Sequence, residues 1–106
     1  METNQRLLKL DEVKARACKG RTKIYEEIKE GIFPRQVALT ARSVVWPDYE
    51  IEAINRAWIA KKTDNEIKEL VKRLHGLRER LHPGLDVSAE VALIFADLGK
   101  PDKYAA

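Results

Sequence analysis

Cysteine is almost absent from this 106-residue sequence, in which Cys18 is the only one. A single thiol cannot form an intrachain disulfide or a cysteine-based zinc site, so the sequence favours a reducing compartment. No run of about 18 apolar residues occurs and no apolar stretch follows the first residues, so neither a membrane span nor a secretory leader is predicted. We therefore expect a cytoplasmic protein without membrane contact.

Catalytic and metal-binding patterns are missing as well. His75 and His82 are seven residues apart and lack the i, i+4 spacing of a zinc-binding helix. No His-Glu-x-x-His motif, glycine-rich phosphate loop or evident Ser/His/Asp set stands out. We expect no metal, no cofactor and no enzymatic activity.

Glycine and proline are scarce, with five and four residues, which excludes collagen-like and low-complexity chains. The length allows one modest core. Charged residues make up 35% of the sequence, which is typical of solvated helical faces. The composition therefore predicts a mainly helical protein.

Positive charge is concentrated in the first part of the chain. Residues 1–45 hold ten Lys and Arg against six Asp and Glu, whereas residues 46–106 hold ten against eleven. From Lys14 to Lys23 the sequence has five basic residues and no acidic one. Such a cluster is typical of a surface that binds a polyanion, although a solvated helix face gives the same pattern.

Two short helices are predicted near the N-terminus. Arg6–Leu10 reads as a short strand or extended segment, and Asp11 is expected to cap a helix that buries Val13 and Ala17. Gly20 interrupts this pattern. A second helix begins at Arg21, ends at Gly31, and has these apolar residues at helical spacing: Ile24, Tyr25 and Ile28. This arrangement predicts a helix-turn-helix.

A β-hairpin is predicted next, because Gln36–Leu39 and Ser43–Trp46 are rich in β-forming residues and are separated by Thr40–Arg42. Phe33-Pro34 cannot continue the preceding helix. The turn has no Gly or Asn, so we expect a longer and looser loop than a tight hairpin turn.

Three further helices are predicted. The first has Pro47 in its first turn and an apolar stripe of Ile51, Ile54, Trp58 and Ile59. We expect these large side chains in the core: Phe33, Trp46, Ile54 and Trp58. The second starts at the capping box Thr63–Glu66, and its apolar stripe is Ile67, Leu70, Val71, Leu74, Leu77 and Leu81. After His82-Pro83-Gly84, Ser88 begins a last short helix, followed by a frayed tail from Gly99.

Five segments resemble a known family in their order and spacing: Arg6–Val13, Arg21–Tyr25, Gly31–Arg35, Arg42–Trp46 and Glu50–Ala53. Over roughly residues 6–61 the chain is similar to the AlpA family of prophage regulators and excisionases. This resemblance implies a winged helix-turn-helix akin to the DNA-binding domain of MerR regulators, without enzymatic activity or metal. Residues 63–81 also resemble an extension that some relatives carry.

The predicted fold is thus mainly α with a small β-hairpin wing. We expect residues 1–61 to form a winged helix-turn-helix domain and residues 62–106 to form a helical extension and tail that could pair two copies. The chain departs from the family pattern at two places. Cys18-Lys19-Gly20 replaces the Gly-apolar-Ser that is typical of the helix turn, and Thr40 replaces a common wing glycine.

In a helix-turn-helix the start of the second helix enters the major groove, so we expect these residues near base edges: Arg21, Thr22, Lys23 and Glu26. Tyr25 is a candidate for a phosphate contact or for half-buried core. Glu26 could accept from cytosine or face solvent. The wing candidates are Arg35, Gln36, Arg42 and Ser43, with Arg42 at the tip either on the DNA or simply on the surface. Expected phosphate contacts are Lys9, Lys14, Arg16 and Lys19.

The predicted function is sequence-specific binding of double-stranded DNA, as a transcriptional regulator or an excisionase of a prophage or integrative element. Integrase, RNA polymerase and a second copy are the expected partners. The alternative is a protein-interaction module in which helix 63–81 binds a partner and the basic face is incidental.

Overall fold

Five helices and a three-stranded antiparallel sheet make up residues 6–98, the part of the chain that the computed structural model describes. In chain order the elements are β1 (Leu7–Lys9), α1 (Leu10–Ala17), α2 (Arg21–Glu30), β2 (Val37–Ala38), β3 (Val44–Pro47), α3 (Asp48–Ile59), α4 (Asp64–Arg78) and α5 (Val87–Asp97). This order confirms the predicted mainly α fold with a hairpin wing.

The sheet has the order β1-β3-β2, so the N-terminal strand belongs to the wing. Leu8 lies opposite Trp46, and Val37 lies opposite Val45. The sequence indicates the strand and the hairpin but gives no sign that β1 pairs with β3. Because this pairing joins residues almost forty positions apart, it fixes the wing to the start of the helix-turn-helix.

Helix α1 begins two residues earlier than predicted, and Asp11 does not cap it. Lys9 occupies the N-cap position without a side-chain cap, because it still belongs to β1, where it lies opposite Val45. Asp11 lies in the first turn instead, where a carboxylate interacts favourably with the helix dipole.

At the turn between α1 and α2 the departure from the family pattern is unfavourable for the backbone. Cys18 has φ 54° and ψ 44°, the left-handed conformation that glycine adopts without steric cost. Gly20 is the N-cap of α2 and has no side chain to accept from the free N–H groups of the first turn. Gly31 ends α2 with φ 83°, as the sequence predicts.

Substitutions that place glycine at position 18 and a capping residue at position 20 should stabilise the protein. We expect Cys18→Gly to raise the free energy of unfolding by about 0.5–1 kcal/mol, because it relieves the left-handed strain and loses part of that gain in chain entropy. Gly20→Ser should add about 0.3 kcal/mol as a cap, since a Cβ there meets no atom within 4 Å. Urea unfolding measures both. As a control of opposite sign, Gly31→Ala should destabilise the fold; a stabilised Gly31→Ala would contradict this account.

Helix α3 buries a different stripe from the predicted one. Ile51 and Ile54 are fully buried as expected, but Trp58 is 45% exposed and Ile59 is 82% exposed. The buried face of the helix is completed by Ala53 and Ala57 instead. Small side chains let α3 approach its neighbours α1 and α4 closely, and this packing leaves the bulky Trp58 at the rim. The prediction that Trp58 is a core residue was therefore wrong, whereas Phe33 and Trp46 are buried.

Helices α4 and α5 complete the core. The Thr63 capping box is present, with Glu66 N–H donating to Thr63 Oγ1 and Thr63 N–H donating to Glu66 Oε1. The helix ends at Arg78, so Leu81 lies beyond it and is partly exposed, contrary to the prediction. Asp86 rather than Ser88 caps α5, its carboxylate accepting from Ala89 N–H. The predicted tail from Gly99 lies outside the described residues.

One hydrophobic cluster includes buried residues from all five helices and the sheet. The five apolar residues that α4 turns inward are all buried in it: Ile67, Leu70, Val71, Leu74 and Leu77. The core is therefore continuous across the predicted boundary at residues 61 and 62, and the division of the chain into two units stays a prediction.

Candidate nucleic-acid interface

The outer face of α2 is a shallow concave surface lined by Arg21, Thr22, Tyr25, Glu26 and Lys29. These residues follow one another at helical spacing, so they share the face opposite the buried Ile24. Tyr25 is half-buried and the other four are exposed. Three of the four predicted major-groove residues, Arg21, Thr22 and Glu26, are thus on one face together with Tyr25, whereas Lys23 lies beside it. Lys29 was missed, although its distance of four residues from Tyr25 and eight from Arg21 places it there.

Tyr25 links this face to the wing. Its ring meets that of Trp46 in β3 edge to face, with the centroids 6.5 Å apart and the planes at 68°. The Tyr25 ring also contacts Arg21, whose guanidinium carbon lies 5.7 Å from the centre of the ring. Trp46 is fixed in turn, since its Nε1–H donates to the carbonyl of Pro34 at 2.8 Å. A rigid core tryptophan therefore orients Tyr25, and Tyr25 supports Arg21.

Lys19 and Lys23 lie beside the buried carboxylate of Glu27. Lys19 Nζ forms an ion pair with Glu27 Oε1, its side chain is 13% exposed, and it lies 4.4 Å from the centre of the Trp58 ring. Lys23 Nζ is 3.9 Å from Glu27 Oε2, but its side chain remains 59% exposed. Lys23 is therefore available to a ligand. The ammonium group of Lys19 already interacts with Glu27 and Trp58. Lys19 is therefore poorly placed for the DNA contact that the sequence predicts.

The wing turn, residues 39–43, is closed by Thr40. Its hydroxyl accepts from the backbone N–H groups of Arg42 at 3.2 Å and Ser43 at 3.1 Å. Leu39 N–H also donates to the carbonyl of Ser43 at 2.9 Å. A side-chain hydroxyl thus performs the closing role that turn residues such as Asn perform elsewhere, and the turn needs no glycine. The side chains of Arg42 and Ser43 are exposed at its end.

The base of the wing is held by α4, which is joined in turn to α3. Arg35 N–H donates to Nε2 of His75 in α4 at 3.1 Å, and Arg35 carbonyl accepts from Arg78 Nη2 at 2.7 Å. Arg78 also forms two hydrogen bonds, of 2.7 and 2.6 Å, with the fully buried carboxylate of Glu50. The backbone of Arg35 is therefore fixed while its side chain stays exposed, and the neighbouring Gln36 is half-buried.

The three remaining phosphate candidates lie on β1 and α1. Lys9 is exposed, Lys14 Nζ is 4.0 Å from Asp11, and Arg16 donates to Glu12 at 3.1 Å. Exposed ion pairs of this kind are weak and exchange readily for other partners. These three residues therefore remain available to a polyanion.

His75 makes the wing base sensitive to acid. Burial, followed by the charges of Arg78 and Arg35, lowers the pKa of His75 to about 4, and its Nε2 accepts a proton only if the bond from Arg35 breaks. Between pH 6.5 and about 4 the unfolded chain binds a proton that the folded protein does not. The free energy of unfolding should therefore fall as the pH is lowered from 6.5 to about 4. The expected decrease is about 1–2 kcal/mol after allowance for the partial exposure of His75.

Urea unfolding at pH 7 and pH 5 tests this expectation. His75→Gln should remove part of the acid sensitivity of the wild type. His82→Gln should keep all of it, because His82 only accepts from Gly84 N–H within its own turn. Equal acid sensitivity of the wild type and His75→Gln would show that His75 does not titrate as described.

Other site types find no support in residues 6–98. No group of three or more His, Cys, Asp or Glu side chains in this range could hold a metal ion. None of the helices described there is long and apolar enough to cross a membrane.

A family model described as prophage CP4-57 regulatory protein (AlpA) matches residues 6–63. The chain belongs to this family. The AlpA match runs from β1 to the N-cap of α4, so it includes the helix-turn-helix, the wing and every residue predicted to contact DNA. Helix α4 and α5 lie beyond it. No curated protein and no solved structure matches the chain.

Proposed function

We propose that this AlpA-family protein binds double-stranded DNA in a sequence-specific manner, with α2 in the major groove and the wing turn against the backbone or the minor groove. The observation that carries the proposal is the outer face of α2, where Arg21 is oriented by Tyr25 and Trp46 and stands beside three other exposed polar side chains. Preoriented polar groups at the start of a helix suit the reading of base edges.

The roles follow from chemistry and position. Arg21 suits a guanine edge, Glu26 can accept from cytosine, and Lys23 and Lys29 suit phosphates. Thr22 suits either a base or a phosphate. Arg42 and Ser43 would contact the backbone from the wing, with Arg35 and Gln36 nearer its base. Lys19 is left out of this interface and acts as a positioning residue within the turn.

The same DNA-binding surface is compatible with two roles in a prophage or integrative element. A site inside a promoter would make the protein a transcriptional regulator that meets RNA polymerase. A site beside an attachment sequence would make it an excisionase, a recombination directionality factor that bends DNA next to an integrase. Mapping the bound sites on the element distinguishes the two roles. Action in the cytoplasm and the absence of enzymatic activity stay predictions.

The alternative function, a module that binds partners through helix 63–81, has less support. The apolar face that it would offer is α4's inner face, and this face is buried in the core of the protein itself. An added partner helix would have to displace α3 or α5. DNA binding needs no such rearrangement.

Alanine substitutions on a duplex selected by the protein from a random pool test the interface. Arg21→Ala should weaken binding by about 1–3 kcal/mol and relax preference at one base pair. Arg42→Ala should weaken binding to all duplexes alike and reduce the salt slope by about one phosphate. Tyr25→Phe should keep most of the affinity if the ring matters as a support, whereas Tyr25→Leu should behave like Arg21→Ala.

Lys72→Ala is the matched control, because it removes one exposed positive charge from α4, a helix that supplies none of the proposed DNA contacts. Its affinity should equal that of the wild type in moderate salt. If Lys72→Ala and Arg21→Ala weakened binding equally, the interaction would be one of net charge, and the assignment of α2 as the reading helix would be wrong.

A further inference from the structure

Gly76 stands in the last turn of α4, at a helical position where glycine is less favourable than alanine. It lies within the helix that runs from Asp64 to Arg78, it is exposed, and a Cβ added to it would meet no atom within 4 Å. Nothing within the folded chain therefore requires a glycine at this position, although alanine would favour the helix. A residue without a side chain at this point leaves open space at the surface of α4.

Helix α5 has a second apolar face, besides the one that it buries. Val87, Val91 and Ile94 point into the core. The exposed apolar residues on the outer side recur at i, i+3, i+4 and i+7, which is the spacing of a packing face: Ala89, Ala92, Leu93 and Ala96. Leu93 is 61% exposed. A helix that is apolar on both sides usually has a neighbour on each of them.

Gly76 and Leu93 line the same groove between α4 and α5, which has a volume of about 410 Å³. The groove therefore offers both a protruding apolar side chain and an opening without a side chain. Two ion pairs border it. Arg80 is 3.5 Å from Glu90 on one side, and Arg73 is 3.1 Å from Asp97 on the other.

We propose that this groove is a self-association face, on which two copies of the chain pair about a two-fold axis and Leu93 of each copy packs against Gly76 of its partner. The charges argue for a second copy as the occupant. In each ion pair the arginine comes from α4 and the carboxylate from α5. A two-fold axis parallel to the two helices lays α4 of one copy over α5 of the other, so Arg73 meets Asp97 of the second copy and Arg80 meets its Glu90, each charge opposite one of the other sign.

This pairing is independent of DNA and leaves the outer face of α2 uncovered. It also agrees with the prediction that the helical extension pairs two copies, although it uses the outer surface of α4 and α5 and not the apolar stripe read from the sequence. A dimer of this kind carries two DNA-binding faces on one particle.

Sedimentation velocity of the full chain without DNA, from micromolar to submillimolar concentration, tests the proposal. The mass of the wild type should rise from 12.2 kDa towards twice that value. Leu93→Asp should stay at the mass of one chain, with a dissociation constant raised at least about tenfold. Gly76→Leu should do the same by filling the opening.

Two further variants separate pairing from folding. Gly76→Ala should raise the melting temperature by about 4 °C at a concentration where the chain is monomeric, because the space above it is empty. Leu39→Asp removes an equally exposed leucine, 55% exposed at the wing, and should pair like the wild type.

A wild type that keeps the mass of one chain at every concentration would overturn the proposal. So would a Leu93→Asp variant that pairs as strongly as the wild type. Because no DNA is present, either result leaves the proposed DNA binding unaffected, and a loss of DNA binding in Arg21→Ala leaves the pairing unaffected.

Discussion

Arg78→Ala is expected to lower the free energy of unfolding by about 3–5 kcal/mol, the largest effect of any single substitution of a charged residue considered for this protein. Glu50 is fully buried and has Arg78 as its ion-pair partner. Burial raises the pKa of Glu50, and the hydrogen bonds from Arg78 offset part of that rise. Without the guanidinium the carboxylate is left uncompensated, and the carbonyl of Arg35 loses a donor.

Urea unfolding of two further variants tests whether burial of the ion pair causes this loss. Arg80→Ala removes an exposed arginine two residues away, whose pair with Glu90 is 3.5 Å long, and should change stability by no more than about 0.5 kcal/mol. The double variant Glu50→Leu with Arg78→Met should recover most of the loss, because a buried pair replaced by apolar residues is often neutral. Equal losses for Arg78→Ala and Arg80→Ala would contradict the burial argument.

Lys19→Ala is expected to cost about 2–3 kcal/mol of stability, less than Arg78→Ala because Lys23 remains 3.9 Å from the carboxylate of Glu27. Glu27 is 1% exposed, and Lys19 connects it to the turn and to the Trp58 ring. Without this contact, α1 and α2 should be held less rigidly at their native angle. We therefore expect weaker DNA binding at an unchanged salt slope, since no phosphate contact is removed.

Lys14→Ala is the comparison for this variant, because Lys14 is 41% exposed and only 4.0 Å from Asp11 at its nearest approach. It should leave stability unchanged within about 0.5 kcal/mol and reduce the salt slope if it contacts a phosphate. A Lys19→Ala protein of full stability whose salt slope falls by about one phosphate would restore the role that the sequence suggests for Lys19.

The order of elements could be predicted because local signals agree with the final packing. Gly31 ends α2, Thr63 and Glu66 form the capping box, and the stripe from Ile67 to Leu77 faces the core. Each of these signals depends on a few neighbouring residues. The outer face of α2 follows in the same way, since helical spacing alone places Tyr25 and Lys29 on one side.

The two buried carboxylates could not be predicted in this way, because acidic residues are usually solvated. Glu50 nevertheless lies four residues before Ile54 and seven before Ala57, so the helical period does place it on the buried face of α3. Its partner Arg78 lies 28 residues away, and no local pattern joins them. The error for Trp58 has a related cause, since a stripe chosen by large apolar residues overlooks alanines that allow close packing.

The salt dependence of binding to DNA fragments from around the protein's own gene, measured by fluorescence anisotropy against unrelated duplexes, tests the central claim most directly. We predict selective binding whose log affinity falls with log salt by about 0.9 for each phosphate neutralised, over several phosphates. Joint charge reversal of Arg21, Lys23 and Arg42 should abolish it. Equal affinity for every duplex, unchanged by that triple reversal, would contradict the claim that this protein reads DNA through α2 and the wing.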